Sequence, residues 1–314
     1  MEYPTISEAQ ILSARPPRNV LRTDRPSAFF VEAERNHRGE IEDVATLFLT
    51  NRECPFRCLM CDLWKNTTAE PVPRGAIPQQ IDYALERLPT TRHIKLYNSG
   101  NFFDAQAIPR EDYASIISRI RHFDTVIVEN HPKLCSTRAL EFHNQLGTEF
   151  EIAMGLETVH PEVLPRLNKN MTLQDFSTAA TLLHQNGIHI RTFILVRPPF
   201  LNEDQGVTWA KRSLEFAIAN HVRCCALVPT RPGNGILDQL ATDGHFASPS
   251  IRSLETVQAA SLPEPRARIF VDMWDIEKFA DCPRCRDRRI ERIRIMNQEQ
   301  QTPPIVECDC GAGS

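Results

Sequence analysis

The chain has 314 residues, of which 41% are hydrophobic and 24% are charged. This length can bury a core without disulfides, and no run approaches the roughly 18 consecutive apolar residues of a membrane span. The 36 basic and 40 acidic side chains give a formal net charge of −4, so overall charge does not favour nucleic-acid binding. The first residues show no apolar run behind a basic cluster, so we expect no secretory signal, no membrane association and a cytoplasmic location.

After a polar N-terminal extension, residues 1–43, apolar runs alternate with amphipathic segments. This alternation is typical of an α/β fold in which crossover helices connect parallel strands. The predicted strands span 44–49, 93–97, 125–128, 149–154, 189–196 and 224–228. The predicted helices span 77–88, 110–121, 137–146, 173–186 and 204–220. Thr172 is the expected N-cap of the fourth of these helices, and Gly187 is expected to end it.

Three cysteines directly follow the first predicted strand. Cys54, Cys58 and Cys61 have the spacing C-x3-C-x2-C. In a chain without an export signal, such a group favours metal binding over disulfides, and thiolates favour zinc, copper(I) or iron–sulfur clusters. Structural zinc requires four ligands, and no fourth Cys or His lies close by in the sequence. The group therefore favours a four-iron cluster with one open iron, over a zinc site completed from afar or three unliganded cysteines.

This motif resembles the signature of the radical S-adenosylmethionine (SAM) enzymes. The resemblance implies a partial (β/α)6 barrel, consistent with the six predicted strands, and a 4Fe-4S cluster on the three cysteines. It implies that the open iron binds SAM, and that the reduced cluster cleaves SAM to methionine and a 5′-deoxyadenosyl radical that abstracts a substrate hydrogen. It also implies an electron donor such as ferredoxin or flavodoxin.

Ligands of parallel α/β folds bind at the carboxyl ends of the strands. Together with the family resemblance, this predicts SAM contacts at Met60, Asn98, Ser99, Gly100, Glu129, Glu157, Arg191 and Val228. Some of these residues also have structural interpretations. Residues 98–100 are typical of a β-turn, and a buried Glu157 is equally explained by an ion pair with Arg191 or Arg166.

Two further segments resemble particular branches of this family. Residues 155–158, Gly-Leu-Glu-Thr, with Asn168 and Lys169 downstream, resemble the Elongator and methylthiotransferase type. Residues 198–200, Pro-Pro-Phe, resemble the archaeosine-synthesis subunit, in which a lysyl-type tRNA base intermediate becomes archaeosine. The sequence departs from the family at Met60, where an aromatic residue is usual.

A second group of cysteines lies near the C-terminus. Cys282, Cys285, Cys308 and Cys310 form two close pairs, which favour either a structural zinc or an auxiliary iron–sulfur cluster. We therefore divide the chain into the extension, a radical SAM barrel over 44–262 and a small Cys-rich metal module over 263–314. The remaining cysteines, Cys135, Cys224 and Cys225, are predicted to be inert, the last two in the core.

Six arginines lie between residues 284 and 294. They indicate either a phosphate-binding patch or the solvated face of an element whose isoleucines are buried. The sequence thus predicts a radical SAM enzyme whose substrate is a tRNA base or, alternatively, a small metabolite or peptide. A third hypothesis is a non-catalytic metal-binding scaffold for a protein partner.

Overall fold

The computed structural model describes residues 3–263 and 266–310. In this part of the chain, eight strands form one sheet in the order β1 to β8. β1 pairs with β2 in antiparallel orientation, and every other neighbouring pair is parallel. The strands are β1 Ala28–Arg35, β2 Ile41–Phe48, β3 His93–Tyr97, β4 Thr125–Glu129, β5 Glu149–Glu157, β6 His189–Val196, β7 Cys224–Pro229 and β8 Arg268–Val271.

Helices connect the parallel strands, as the alternation of apolar runs predicted. They are α1 Glu8–Ala14, α2 Ala76–Leu85, α3 Tyr113–Ile120, α4 Thr137–Leu146, α5 Val163–Arg166, α6 Leu173–Gln185, α7 Glu203–Ala219, α8 Ile236–Thr242, α9 Ile251–Ser261 and α10 Arg286–Glu299. The predicted cap of α6 is confirmed, because Thr172 and Asp175 form a capping box and Gly187 has a φ of +72°. None of the helices described is both long enough and apolar enough to cross a bilayer.

The parallel partial barrel is confirmed, but the sheet is larger than the six predicted strands. The additional strands are β1, from the predicted extension, and β8, from the predicted C-terminal module. The predicted boundary at residue 43 falls inside β2, and β8 pairs with β7 beyond the predicted boundary at residue 262. Both ends of the chain therefore contribute strands to the same sheet as the barrel.

A layer of charged side chains lies inside the sheet near the amino ends of its parallel strands. Arg191 on β6 donates from Nε to Glu151 on β5 at 2.6 Å and from Nη1 to Glu34 on β1 at 3.0 Å. Lys95 on β3 donates to the same Glu34 carboxylate at 2.6 Å. In a flat sheet, β1 and β6 would be about 24 Å apart, five strand spacings of about 4.8 Å each. The bond between them therefore requires the sheet to curl into a barrel.

The two edges of the sheet also meet near this end. Arg268 on β8 donates to the backbone carbonyl of Arg35 on β1 at 2.7 Å. The side chain of Arg35 in turn donates to the carbonyl of Gln298 on α10 at 3.0 Å, and α10 contacts both β1 and β8. The C-terminal helix thus covers the gap between edge strands that would otherwise expose unpaired backbone groups.

Replacing Arg191 tests the importance of the charged layer. In Arg191→Met, Glu34 and Glu151 lose a cation that holds the pKa of both carboxyls below the usual range against the opposing effect of burial. We expect the free energy of unfolding to fall by about 3–5 kcal/mol, measured by urea denaturation. Arg92→Met, which removes an exposed arginine paired with Glu42, is the control and is expected to change little. If the free energy of unfolding falls equally in the two variants, a structural role for the charged layer is contradicted.

Candidate cofactor site at the carboxyl edge of the sheet

The loop that carries the first three cysteines leaves the carboxyl end of β2. Leu59, at its centre, is fully buried and donates its N–H to the carbonyl of Leu167 at 2.8 Å. Asn234, beyond β7, donates from Nδ2 to the carbonyl of Leu59 at 2.8 Å and to that of Cys61 at 3.2 Å. Segments that follow β5 and β7 therefore hold the cysteine loop over the edge of the sheet.

The three thiols of this loop have the properties of cluster ligands. Cys54, Cys58 and Cys61 are unpaired and partly buried, and burial raises the pKa of each thiol, that of Cys58 to about 12. Their sulfurs do not all lie within 4.8 Å of one another. Thiolates on one zinc ion lie about 3.8 Å apart, the edge of a tetrahedron with 2.3 Å bonds, whereas thiolates on separate irons are farther apart. Three protein thiols can hold a four-iron cluster with one iron open, so the donor set is compatible with such a cluster.

The turn after β3 packs directly against the cysteine loop. Asn101 donates from Nδ2 to the Sγ of Cys54 at 3.1 Å, and a Cβ added at Gly100 would lie 3.4 Å from the Cβ of Cys54. Glu129, at the end of β4, accepts the N–H of Asn98 at 2.6 Å and that of Gly100 at 3.2 Å. These amide groups are thus occupied by a carboxylate of the chain itself. The contacts of Glu129 order the turn that presents Asn98.

The side chain of Asn98 is a polar group at this edge without a partner among the described residues. Its side chain is completely buried, and neither its Nδ2 nor its Oδ1 has a hydrogen-bond partner among the described residues. The Oγ1 of Thr50 and the Oδ1 of Asn51, directly after β2, are also buried and unpaired. Each such group costs about 1–3 kcal/mol unless something bonds to it. Unpaired amide and hydroxyl groups beside three thiols fit a site for a polar cofactor.

A buried ion pair lies at the end of β5. Lys169 donates from Nζ to Glu157 at 2.7 Å, so the partner of Glu157 is neither Arg191 nor Arg166. Glu157 has a φ of +66° at a register shift of β5, and a Cβ added at Gly155 would lie 2.1 Å from its Oε1. Burial by itself lowers the pKa of Lys169, but Glu157 and the nearby Cys58 raise it above its ordinary value. A permanent positive charge therefore lies near the cysteine loop.

His131 connects three parts of the site. Its N–H donates to the Oδ1 of Asn101 at 2.7 Å, and its Nε2 lies 3.0 Å from the carbonyl of Lys169. Its ring stacks on Phe56 of the cysteine loop with 3.9 Å between centroids. Burial lowers its pKa to about 3, so the ring is neutral near pH 7 and links these segments without adding charge.

The remaining predicted SAM contacts fall into two places. Met60 and Val228 both border one apolar cluster that includes Leu59 and Leu167, beside the cysteine loop. Arg191 does not lie at this edge, because its guanidinium is bonded to Glu34 and Glu151 in the charged layer at the amino end. We therefore remove Arg191 from the candidate site.

The four C-terminal cysteines come together as predicted. The sulfurs of Cys282, Cys285, Cys308 and Cys310 all lie within 4.8 Å of one another. Among the described residues, no other group of three or more His, Cys, Asp or Glu side chains has its ligand atoms this close together. Cys224 and Cys225 are fully buried in the core, as predicted. The group of four can bind a metal.

The six arginines from Arg284 to Arg294 do not form one free basic patch. Arg289 and Arg292 are buried and pair with Glu255 on α9. Arg292 also donates to the carbonyl of Pro304 at 2.9 Å, and Arg289 donates to that of Val306 at 3.0 Å. At least these two members hold the C-terminal segment in place, so the cluster does not support the predicted phosphate-binding patch.

Sequence reasoning named Lys169 only as part of a family-like segment, and it missed Asn234 and the contact role of Asn101. Each follows a strand or a short helix at the carboxyl edge, and this position is the signal that could have identified them. Their partners are 12 to 175 residues away in the sequence, so spacing alone does not pair them.

The chain is similar to several known proteins. No family model matches the chain. An uncharacterized protein of Methanocaldococcus jannaschii is 22% identical over 93% of this chain and 87% of its own length. Archaeosine synthase subunit beta of Thermococcus kodakarensis is 29% identical over 50% of the chain and 51% of its own length. The protein of that name in Methanosarcina acetivorans is 23% identical over 81% of the chain and 77% of its own length.

Two solved structures resemble the fold. Elp3 of Methanocaldococcus infernus matches with a TM-score of 0.51 and 14% identity, over 68% of this chain and 58% of that protein. Methylornithine synthase matches with a TM-score of 0.50 and 14% identity, over 71% of this chain and 64% of that protein. At this identity the likeness concerns the fold alone. The fold is a partial (β/α) barrel like those of these two proteins, as the resemblance in the sequence implied.

The environment of Glu129 predicts a pH dependence of stability. Burial raises the pKa of Glu129 to about 7, although the N–H groups of Asn98 and Gly100 partly oppose this. Because the folded-state pKa lies above the unfolded one, this residue makes the fold less stable as the pH rises from about 4.3 through about 7. Glu129→Gln keeps an acceptor oxygen but no charge. Its unfolding free energy relative to wild type should therefore rise by on the order of 3 kcal/mol between pH 4.5 and pH 8.

Urea denaturation at the two pH values measures this difference. Glu141→Gln, at an exposed position of α4, is the matched control. If the unfolding free energies of Glu129→Gln and wild type differ by the same amount at both pH values, the raised pKa of Glu129 is contradicted.

Proposed function

We propose that this chain is a radical SAM enzyme whose cofactors bind at the carboxyl edge of the sheet. Cys54, Cys58 and Cys61 would hold a 4Fe-4S cluster. The observation that carries the proposal is the buried, unpaired amide of Asn98 on the turn that packs against Cys54. With an electron from a donor such as ferredoxin or flavodoxin, the bound cofactors supply cleavage of SAM to methionine and a 5′-deoxyadenosyl radical that takes a hydrogen atom from the substrate.

The residues around the cysteines have separate tasks in this proposal. Asn98 offers both a donor and an acceptor to SAM, and the contacts of Glu129 with the turn backbone keep it in position. Lys169, ion-paired with Glu157, lies near Cys58, and its positive charge favours the thiolate there. Met60 and Val228 provide apolar surface suited to one face of an adenine ring.

For the substrate, we propose a tRNA base that carries a lysyl-type side chain. The support is the similarity to two proteins named archaeosine synthase subunit beta, together with the Pro-Pro-Phe segment at 198–200. Those names also describe one subunit of an enzyme, so we expect a partner subunit. The arginines of α10 give no support, because Arg289 and Arg292 are engaged within the chain.

The second candidate substrate is a small metabolite or peptide. It is favoured by the net charge of −4 and by the engagement of the arginines that would have formed a phosphate-binding patch. The chemistry at the cysteines would be the same, and only the recognition of the substrate would differ.

Cys58→Ala tests the cofactor site. The wild-type chain, reconstituted anaerobically with iron and sulfide, should bind about four cluster irons per chain and release 5′-deoxyadenosine from SAM after reduction. Cys58→Ala should lose both properties, because it removes one of three protein ligands. Cys135→Ala is the matched control, since Cys135 is a partly buried thiol outside both cysteine groups, and it should behave as wild type.

A cluster of normal iron content in Cys58→Ala would overturn the assignment of the ligands. A wild-type cluster that never cleaves SAM, with tRNA or without it, would favour the non-catalytic scaffold.

Assays with tRNA test the substrate. In the presence of the partner subunit, tRNA with the lysyl-type base should increase formation of 5′-deoxyadenosine and yield a new nucleoside by mass spectrometry. Binding should weaken steeply as salt rises, because phosphate contacts release counterions. The same tRNA without the lysyl-type side chain on that base is the control and should give no product. Cleavage of SAM that is indifferent to both tRNAs would contradict the tRNA proposal and favour the small substrate.

A further inference from the structure

The spacing of the four C-terminal thiols distinguishes between the two metal centres that the sequence left open. The Sγ atoms of Cys282 and Cys308 are 3.9 Å apart, and those of Cys285 and Cys310 are 3.6 Å apart. All four sulfurs lie within 4.8 Å of one another. Tetrahedral zinc with bonds of about 2.3 Å places its sulfurs about 3.8 Å apart. A four-iron cluster requires wider spacing, because each thiolate binds a different iron.

We propose that Cys282, Cys285, Cys308 and Cys310 bind one zinc ion as a closed structural site. Four protein thiolates fill the coordination sphere, so this site has no open position for a substrate or for SAM. It is independent of the proposed cluster at Cys54, Cys58 and Cys61, whose sulfurs are more widely spaced.

Arginines adjacent to the thiols support this assignment. Zinc with four thiolates carries a net charge of −2, which is unfavourable next to a folded core unless cations compensate it. Arg289 donates from Nε to the Sγ of Cys285 at 3.3 Å, and Arg252 on α9 donates from Nη2 to the Sγ of Cys310 at 2.8 Å. Two guanidinium groups thus face two of the four sulfurs and offset part of the charge of the site.

The site joins two segments, one on each side of α10. Cys285 is the residue before α10, while Cys308 and Cys310 lie in the C-terminal segment that α10 holds through Arg289 and Arg292. Because α10 also covers the gap between β1 and β8, we infer that the zinc ion stabilises the closure of the barrel. The arginines of this region therefore serve the metal site and the C-terminal segment.

The test uses the full-length chain with Cys54, Cys58 and Cys61 all replaced by alanine. This variant lacks the proposed cluster, so its metal content reports on the C-terminal group alone, whatever the outcome for SAM chemistry. We expect one zinc per chain by elemental analysis, no iron–sulfur absorption after incubation with iron and sulfide, and a tetrahedral thiolate spectrum when cobalt(II) replaces zinc. An iron–sulfur chromophore, or a chain that holds no metal after supply with zinc, would overturn the proposal.

Variants in the same background locate the ligands and their arginine neighbours. Cys310→Ser should weaken zinc binding at least 100-fold, whereas Cys310→His should retain it, because imidazole is also a zinc ligand. Arg252→Met should weaken zinc binding about 10- to 100-fold, as loss of a ligand's hydrogen-bond partner does. The control is Arg119→Met, because Arg119 is on α3 and not in the C-terminal region. This variant should bind zinc normally. If Cys310→Ser and Arg252→Met both bind zinc as tightly as this control, the assigned site is wrong.

Discussion

The fold depends on the charges buried inside the barrel at the amino ends of its strands. Arg191 cannot be buried without anions, and the carboxylates it bonds, Glu34 and Glu151, come from β1 and β5. These bonds are possible only if the sheet curls, so the same interaction determines the shape of the barrel and fills its amino end. Arg191 and Lys95 there pair with carboxylates of the same layer. Unpaired polar groups suited to a cofactor lie at the opposite end.

At the carboxyl end, parallel strands bring together segments that are far apart in the sequence. The cysteine loop follows β2, the turn with Asn98 follows β3, and the pair of Glu157 and Lys169 follows β5. Each segment is fixed by contacts with another one, as when His131 bonds to both Asn101 and Lys169. Such mutual support orients the site before any cofactor binds, which reduces the ordering that binding would otherwise require.

Arginine is the residue type for which sequence reasoning was least reliable. Arg191 was expected to contact SAM, and the arginines between 284 and 294 were expected to bind phosphate or face solvent. Arg191 lies instead in the charged layer, and Arg289 and Arg292 bond to Glu255 and to carbonyls of the C-terminal segment. A guanidinium group can bond a carboxylate, a carbonyl, a thiolate or a phosphate, and only its surroundings decide which. The sequence shows the donor but not its partner.

The sequence by itself determined the features that depend on local spacing. The alternation of strands and helices, the cap of α6 by Thr172, the two groups of cysteines and the burial of Cys224 and Cys225 could all be read from it, because they depend on periodicity or on residues a few positions apart. Only the tertiary structure decided the partner of Glu157, the position of Arg191, the two additional strands β1 and β8, and the distances between the C-terminal sulfurs. The position of Arg191 depends on how far the sheet curls, because its partner Glu34 lies on β1. The other features depend on contacts that form only once the chain is folded, so local spacing does not reveal them.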